Sequence, residues 1–470
     1  MKKVIGKNFE LIPVENNECG KTALSKHKRW ETVDGDLEIG GVYYDRSKKG
    51  ILCQVVEDVI KGRKILKKKM FIADAIENGR SLEAYENKLV DEVKMEGESS
   101  GYYDNQQYVR KILANSIFGC ASNEHFHLYN YYNGVSITLG GQALLRFLQK
   151  CLNEYMKLKF HKMVPKIFPE YKGDCLPLQK DVVCQMDTDS LFLCFEEVVE
   201  NLNISFENDQ EIFDWMDRIH KVFVDPFIEL CLNNFAQKYN LEQIINFKRE
   251  KIITEKIIIA KKKYVDRVLA DEDKLYIQNP KIKKTGIETV RSDTPNFCKE
   301  KLDDLLKYMF EVKLKDQKKV LSKIREVNKE FKNANISDIA IPKGVSDYTK
   351  YASPTEHYVQ NGLIYPNGCP IHVRASMNYN YLVQTLKLPL MPITNGTKVK
   401  FVHTSKINQL DQDVVAFINE WPEEFNNEFS IDYDRQFNRT FMSVIQRFFD
   451  VLKWGKIQLE ENTLDELIQF

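Results

Sequence analysis

Two aspartates one residue apart stand in the stretch Cys184-Gln185-Met186-Asp187-Thr188-Asp189-Ser190-Leu191-Phe192-Leu193. Val182 and Val183 precede them, and Leu191, Phe192, Leu193 and Phe195 follow. Apolar, β-prone runs on both sides of a short polar step predict a strand, a tight acidic turn and a second strand. Carboxylates gathered at a hairpin tip suit hard divalent cations such as Mg²⁺. A pair of such ions can clamp both oxygens of an in-line phosphoryl displacement. Taken alone, the same residues also read as a solvated Asp-rich turn.

A second segment upstream runs Lys111-Ile112-Leu113-Ala114-Asn115-Ser116-Ile117-Phe118-Gly119. Val109, Ile112, Leu113 and Ile117 recur at helical spacing, while Lys111, Asn115 and Phe118 fall on a different face. A cation, an amide and a ring along one helix face can meet a phosphate, a sugar and a base. An ordinary amphipathic helix with a lysine on its polar side accounts for the same pattern.

The combination is more specific than either part. K-x-x-x-N-S-x-[YF]-G followed by D-T-D-S resembles the fingers-helix motif and the palm metal motif of family B DNA polymerases, in that order. The resemblance covers almost the whole chain and is strongest to the replicative enzymes of T-even-like bacteriophages. Arg63 to Phe71 looks like the first fingers helix, whose Arg and Lys four apart (Arg63 and Lys67) grip the triphosphate. Ala260-Lys261-Lys262-Lys263-Tyr264 is similar to the Lys-Lys-x-Tyr motif that touches the primer–template. Thr285-Gly286-Ile287-Glu288 with Thr294-Pro295 resembles the start of the thumb. Cys369-Pro370-Ile371-His372-Val373-Arg374 and Asn395-Gly396-Thr397-Lys398-Val399 look like late palm or thumb segments. The final Leu464, Leu467, Ile468 and Phe470 are similar to the tail by which those enzymes hold the sliding clamp.

The resemblance implies an α+β fold of right-hand architecture, with a mixed-sheet palm, helical-hairpin fingers and a mostly helical thumb. It divides the chain into a palm remnant or linker (1–50), fingers (51–122), palm with the metal hairpin (123–290), thumb (291–460) and a clamp-binding tail (461–470). It implies two Mg²⁺ ions, with Asp189 bridging both and Asp187 a weaker or outlying ligand. Glu250, in Lys248-Arg249-Glu250, resembles an auxiliary acid; a plain ion pair with a neighbouring lysine is the other reading. Lys111 would face Arg63 and Lys67 from the partner helix, Asn115 would orient that face, and Phe118 would lie under the nascent base pair. The family usually has Tyr at that last position, so any hydrogen bond through its hydroxyl is lost here.

No D-x-x-S-L-Y-P-S, the first palm motif whose Asp is the other indispensable metal ligand, occurs in residues 1–470, nor does a strand-like acidic D-x-E of the proofreading exonuclease kind. Gly40 through Phe71 looks like the stretch just downstream of the first palm motif. The expectation is a C-terminal polymerase subunit, active with an N-terminal chain that carries that motif and the exonuclease; a truncated polymerase is the alternative. Its substrates would be primer–template DNA and dNTPs, and its site of action the cytoplasm of an infected bacterial host. Two further readings compete: a non-catalytic DNA- and clamp-binding subunit or polymerase remnant, and a reverse transcriptase. The latter would want Y-x-D-D in place of D-T-D-S.

Charge fits these expectations. The formal net charge is zero, yet residues 256–350 hold 23 Lys+Arg against 15 Asp+Glu. A basic stretch within an acidic remainder is what a phosphate-tracking segment shows. Lys261–Lys263 and Lys281–Lys284 (Lys283 and Lys284 included) are the expected DNA contacts, and Lys299 to Lys332 a solvated helix pair. The ten cysteines show no Cys-x-x-Cys or zinc spacing and read as free thiols in a reducing cytosol. The start lacks a signal-peptide core. The uncharged run Leu128 to Leu145 is too rich in Asn, Ser, Thr, Gly and Gln to span a membrane. Helices are expected at Phe147–Leu158 and Glu211–Tyr239, a hairpin turn near Glu96–Gly101, and a loop insertion over Phe160–Lys180. Short strands are expected near 360–403, followed by helices over 408–420 and 432–454.

Overall fold

The computed structural model describes residues 32–33, 36–37 and 50–459, the last range without 84, 172–175, 239–240, 273, 313, 352–357, 360–361, 364–367 and 406–411. The chain divides into two compact units, Met1–Ser205 with Arg218–Lys248 and Phe206–Asp217 with Arg249–Phe470.

In the first unit, β1 (Thr32–Val33) and β2 (Asp36–Leu37) form a minimal antiparallel hairpin. Three helices follow, α1 (Ile51–Glu77), α2 (Asn87–Glu96) and α3 (Ser100–Ala121). The break expected near Glu96–Gly101 falls between α2 and α3. There Gly97 takes a left-handed φ of +65° and Ser99 caps α3 by accepting from Tyr102 N–H at 3.1 Å. A second break at Asn78–Gly79 separates α1 from α2, so a short third helix buttresses the long pair. Ile72, Ala73, Val90, Val93 and Tyr103 form their common core.

Helix α4 (Tyr131–Leu158) starts well before the expected Phe147, because Asn130 accepts from the N–H groups of Tyr132 and Asn133. It takes in most of the polar, uncharged run. Among the described residues no helix is long and apolar enough to cross a membrane. The hairpin β3 (Val183–Asp187) and β4 (Ser190–Leu193) lies against α4, and α5 (Asp225–Lys238) completes a core of Leu144, Leu148, Cys231, Leu232 and Phe235. The segment from Phe160, expected as a loop, carries two short helical turns. Phe160, Val164, Ile167 and Phe168 are all buried there, so it is part of the core.

In the second unit, β5 (Lys251–Ala260), β6 (Lys263–Asp271), β7 (Lys274–Leu275) and β8 (Lys281–Thr285) make one sheet with β6 at its centre. The helix Asp209–Ile219 covers part of it through Ile212, Phe213 and Met216. Helices α6 (Asn296–Glu311) and α7 (Gln317–Lys332) share a large aromatic core with Phe437, Phe441, Phe448 and Phe449. A second core joins β9 (Ile341–Gly344), α8 (Ile371–Thr385), β10 (Lys398–His403) and β11 (Val414–Phe417).

Three expectations are corrected. Every strand pairing among the described residues is antiparallel, so the sheets are not mixed; short turns such as Lys261–Lys262 join successive strands directly. Residues 371–385, expected within a strand region, are helix α8, which starts after Pro370 and lies on β11. Val414–Phe417, expected within a helix, is the strand β11. Its four consecutive side chains are fully buried, the mark of a strand covered on both faces.

Gly286 meets the β5–β6 turn closely. Its φ is +63°, and a Cβ there would lie 2.2 Å from the Lys262 carbonyl oxygen. Gly286→Ala should therefore lower stability by roughly 2 kcal/mol or more, from left-handed strain plus a backbone clash. Gly79→Ala, at φ +62° with nothing within 4 Å, should cost only about 1 kcal/mol. Urea unfolding of the two variants checks the difference.

Candidate functional site

The acidic hairpin is a strained turn on a firm base. Asp187 stands directly opposite Ser190 in the antiparallel register. Thr188 sits at φ +47°, and the Asp189 N–H reaches back to the Asp187 carbonyl at 2.5 Å. This three-residue turn puts a β-branched residue in the left-handed region, at a cost on the order of 1–3 kcal/mol. Side chains offset it: Thr188 Oγ1 donates to Asp187 Oδ1 at 3.0 Å, and Ser190 Oγ donates to the Asp187 carbonyl at 3.1 Å. Helix α4 holds the hairpin from behind. Buried Asn153 accepts from the Val183 N–H at 3.0 Å, and Leu191 packs into the α4–α5 core. The helix passes beside the tip at Gly141, where an added Cβ would make ordinary contact at 3.9 Å with the Thr188 carbonyl.

Asp187 is thus half-buried and oriented by a hydroxyl, while Asp189 is open to solvent. Two such carboxylates fit Mg²⁺, which usually takes one or two protein carboxylates and fills its shell with water and substrate phosphate. Among the described residues no group of three or more His, Cys, Asp or Glu side chains is placed to hold a metal. The hairpin therefore offers part of a ligand set.

The α1–α3 pair holds the expected cations. Arg63 and Lys67 are half-buried on α1, and Lys111, Asn115 and Phe118 are exposed on α3. Arg63 Nε donates to Gln107 Oε1 at 3.2 Å across the pair, and Gln107 Nε2 donates to Asp104 Oδ1 at 2.8 Å. The Arg110 guanidinium crosses α1 at Gly62, where any Cβ would collide with it. The apolar spacing of α3 misleads: Val109, Ile112 and Leu113 are exposed, and the buried positions are Tyr103, Gln107 and Ala121.

One cluster escaped the sequence reading. Lys69, buried in α1, pairs with Glu96 at 2.5 Å and Glu92 at 3.3 Å, and the Tyr103 hydroxyl donates to Glu96 at 2.5 Å. Burial works against the Lys69 charge, but the two glutamates outweigh it and hold its pKa above the ordinary value. The Lys69 and Tyr103 hydrogen bonds hold the Glu96 carboxyl below its usual range. The signal available in the sequence was Lys69 falling on the apolar side of α1 with Leu66, Ile72 and Ala73.

In the second unit the lysines divide into two kinds. Lys261 and Lys262 form the exposed β5–β6 turn. Lys263 instead pairs with Glu288 at 3.3 Å, a carboxylate that Arg447 also engages at 2.8 Å. Tyr264 is buried beneath Lys256, whose Nζ stands 3.5 Å from the ring centroid and 2.8 Å from buried Asp266. Lys283 pairs with Asp271 at 3.1 Å and Lys284 with Asp303. Glu250 is exposed just before β5, in the second unit, where its charge acts on Lys283, while Asp187 and Asp189 belong to the first. Leu464, Leu467, Ile468 and Phe470 lie outside the described residues.

The first unit thus presents a strand–acidic turn–strand and an opposed helix pair bearing Arg63, Lys67 and Lys111, and the second unit a lysine turn on its own sheet. Residues 83–216 and 228–451 match DNA polymerase family B, and the chain belongs to that family. It is 24% identical over 450 residues to the DNA-directed DNA polymerase of Enterobacteria phage T4, covering 86% of this chain and 46% of that protein. It is 23% identical over 326 residues to the DNA-directed DNA polymerase of Escherichia phage RB69, covering 67% of this chain and 33% of that one. A DNA polymerase of Choristoneura biennis entomopoxvirus is 24% identical over 242 residues, 49% of this chain and 23% of its own length. The chain thus spans less than half the length of each of these relatives.

Lys69→Met should destabilise the helix pair by about 1.5–3 kcal/mol, because it leaves Glu96 and Glu92 without their ammonium. A carboxylate with a depressed folded pKa stabilises above its unfolded value, about 4.3, and loses that contribution as pH falls through the lower folded value. Acid unfolding followed below pH 4.5 should accordingly show a limb that Glu96→Gln removes.

Proposed function

We propose that this chain forms the fingers (51–122), palm (123–290) and thumb (291–460) of a replicative DNA-directed DNA polymerase that adds dNMP units from dNTPs to a primer 3′ end. The observation that carries the proposal is the Asp187-Thr188-Asp189 turn, braced by α4 and by its own hydroxyls so that two carboxylates stay at one tip. Asp187 and Asp189 would hold Mg²⁺, with Asp189 shared between two ions. When bound, those ions supply charge neutralisation at the transferring phosphoryl group.

The chain's own residues bind and orient. Arg63 offers a fork of N–H donors to the triphosphate, and Lys67 and Lys111 add point charges. Phe118 gives an exposed ring for the nascent base pair, with Asn115 on the same face of α3. Lys261 and Lys262, exposed at the β5–β6 turn, would meet DNA phosphates, while Lys263, Lys283 and Lys284 pair with carboxylates within the fold. Glu250 remains a proposed auxiliary acid. We assign the further metal carboxylate and the exonuclease to an N-terminal polymerase subunit, and the segment 461–470 to a sliding clamp. The setting is the infected bacterial cell.

The test is primer extension by the chain together with a partner bearing the first palm motif. Asp189→Ala should abolish incorporation while primer–template affinity stays nearly intact. Lys111→Ala or Arg63→Ala should weaken nucleotide use roughly tenfold to a hundredfold, the value of one charge-assisted phosphate contact of about 1.5–3 kcal/mol. Full incorporation by Asp189→Ala would overturn the catalytic reading in favour of a DNA- and clamp-binding subunit. Robust extension by the chain alone would overturn the two-chain reading.

A further inference from the structure

We infer that Gln107 is a positioning residue for the incoming triphosphate and acts by fixing the plane of the Arg63 guanidinium; this rests on the reading of Arg63 as a triphosphate ligand. Gln107 is polar, sits one turn before Lys111 on α3, and is 8% exposed. A glutamine at a helix–helix interface needs a reason, since an uncharged apolar residue there would bury more favourably. Both ends of its amide are used. Oε1 accepts from Arg63 Nε at 3.2 Å, and Nε2 donates to Asp104 Oδ1 at 2.8 Å.

The second bond removes the freedom of the first. Asp104 dictates which end of the amide is the acceptor, so the oxygen must face Arg63. A guanidinium is planar, and an acceptor on Nε fixes the tilt of that plane. Neither terminal nitrogen of Arg63 has a partner among the described residues. The arrangement uses the single Nε donor and leaves the four donors of the two terminal nitrogens for an end-on phosphate fork. Holding the group in place before the ligand arrives saves the ordering it would otherwise undergo on binding. The neutral amide is suited to this, because a carboxylate at 107 would take up part of the charge meant for the triphosphate.

The experiment compares steady-state dNTP kinetics of the assembled polymerase carrying Gln107→Leu, Gln107→Glu, Arg63→Ala and the double variant Arg63→Ala/Gln107→Leu. Gln107→Leu should raise the KM for dNTP roughly three- to tenfold, the cost of ordering one long side chain on binding. Its melting temperature and primer–template Kd should stay near those of the unmodified chain. Gln107→Glu, which sets a second carboxylate against Asp104, should raise KM as well and lower the melting temperature. In the Arg63→Ala background Gln107→Leu should add nothing further. An unchanged dNTP KM in Gln107→Leu, with Arg63→Ala impaired, would overturn the inference while leaving the proposed function standing. So would equal, additive losses in both backgrounds, which would mark Gln107 as a general packing residue. If Arg63→Ala itself leaves nucleotide kinetics unaltered, the triphosphate reading fails first and the inference falls with it.

Discussion

A threonine held at φ +47° between two aspartates is the constraint on which the candidate site rests. An isolated hairpin would relax such a turn, because a β-branched residue gains by leaving the left-handed region. It is kept here by forces applied some distance away. Asn153 grips the Val183 N–H, Leu191 packs against the core that holds Leu144, Leu148 and Phe235, and α4 passes beside the Thr188 carbonyl at Gly141. Each contact is ordinary, and together they over-determine the tip. The two carboxylates consequently differ, one tethered by the Thr188 hydroxyl and the other open to water, although they are only two residues apart.

The charge pattern has a similar internal logic. The excess of lysine over residues 256–350 suggests a continuous basic surface, but much of it is consumed within the fold. Lys256 with Asp266, Lys263 with Glu288, Lys283 with Asp271 and Lys284 with Asp303 lace β5, β6, β8 and α6 together. Burial lowers the pKa of Lys284. Lys261 and Lys262 stand exposed at the β5–β6 turn, whose shape Gly286 secures.

The acidic hairpin was legible because apolar runs flank a polar step too short for anything but a turn. The cations of the helix pair were legible from the spacing Arg63–Lys67 and Lys111–Asn115–Phe118. Other parts were not. Val414–Phe417 is apolar throughout, so no periodicity separates strand from helix, and burial between neighbours decided it. Ile371–Thr385 contains β-branched and aromatic residues that favour strands, but packing against β11 overrode that preference. The Lys69–Glu96–Tyr103 cluster and the Arg63–Gln107 bond join residues far apart in the chain, whose meeting depends on the register of α1 against α3. On α3 the usual rule inverts: Val109, Ile112 and Leu113 face outward and polar Gln107 faces in. A narrow two-helix seam that has to seat the Arg63 and Arg110 side chains leaves little room for aliphatic ones.

The length of α1 has a mechanical consequence. Its 27 residues rise about 40 Å at 1.5 Å each, and Arg63 lies roughly 18 Å from the Ile51 end. The Lys69 ion pairs and the Tyr103 hydroxyl fasten all three helices near the far end, so the assembly resists bending and would turn as one piece. A rotation of about 10° at the Ile51 end would carry Arg63 by roughly 3 Å, a hydrogen-bond length, and the far tip by more than twice that. Leverage alone thus lets a modest swing at the foot of α1 make or release a contact at its middle.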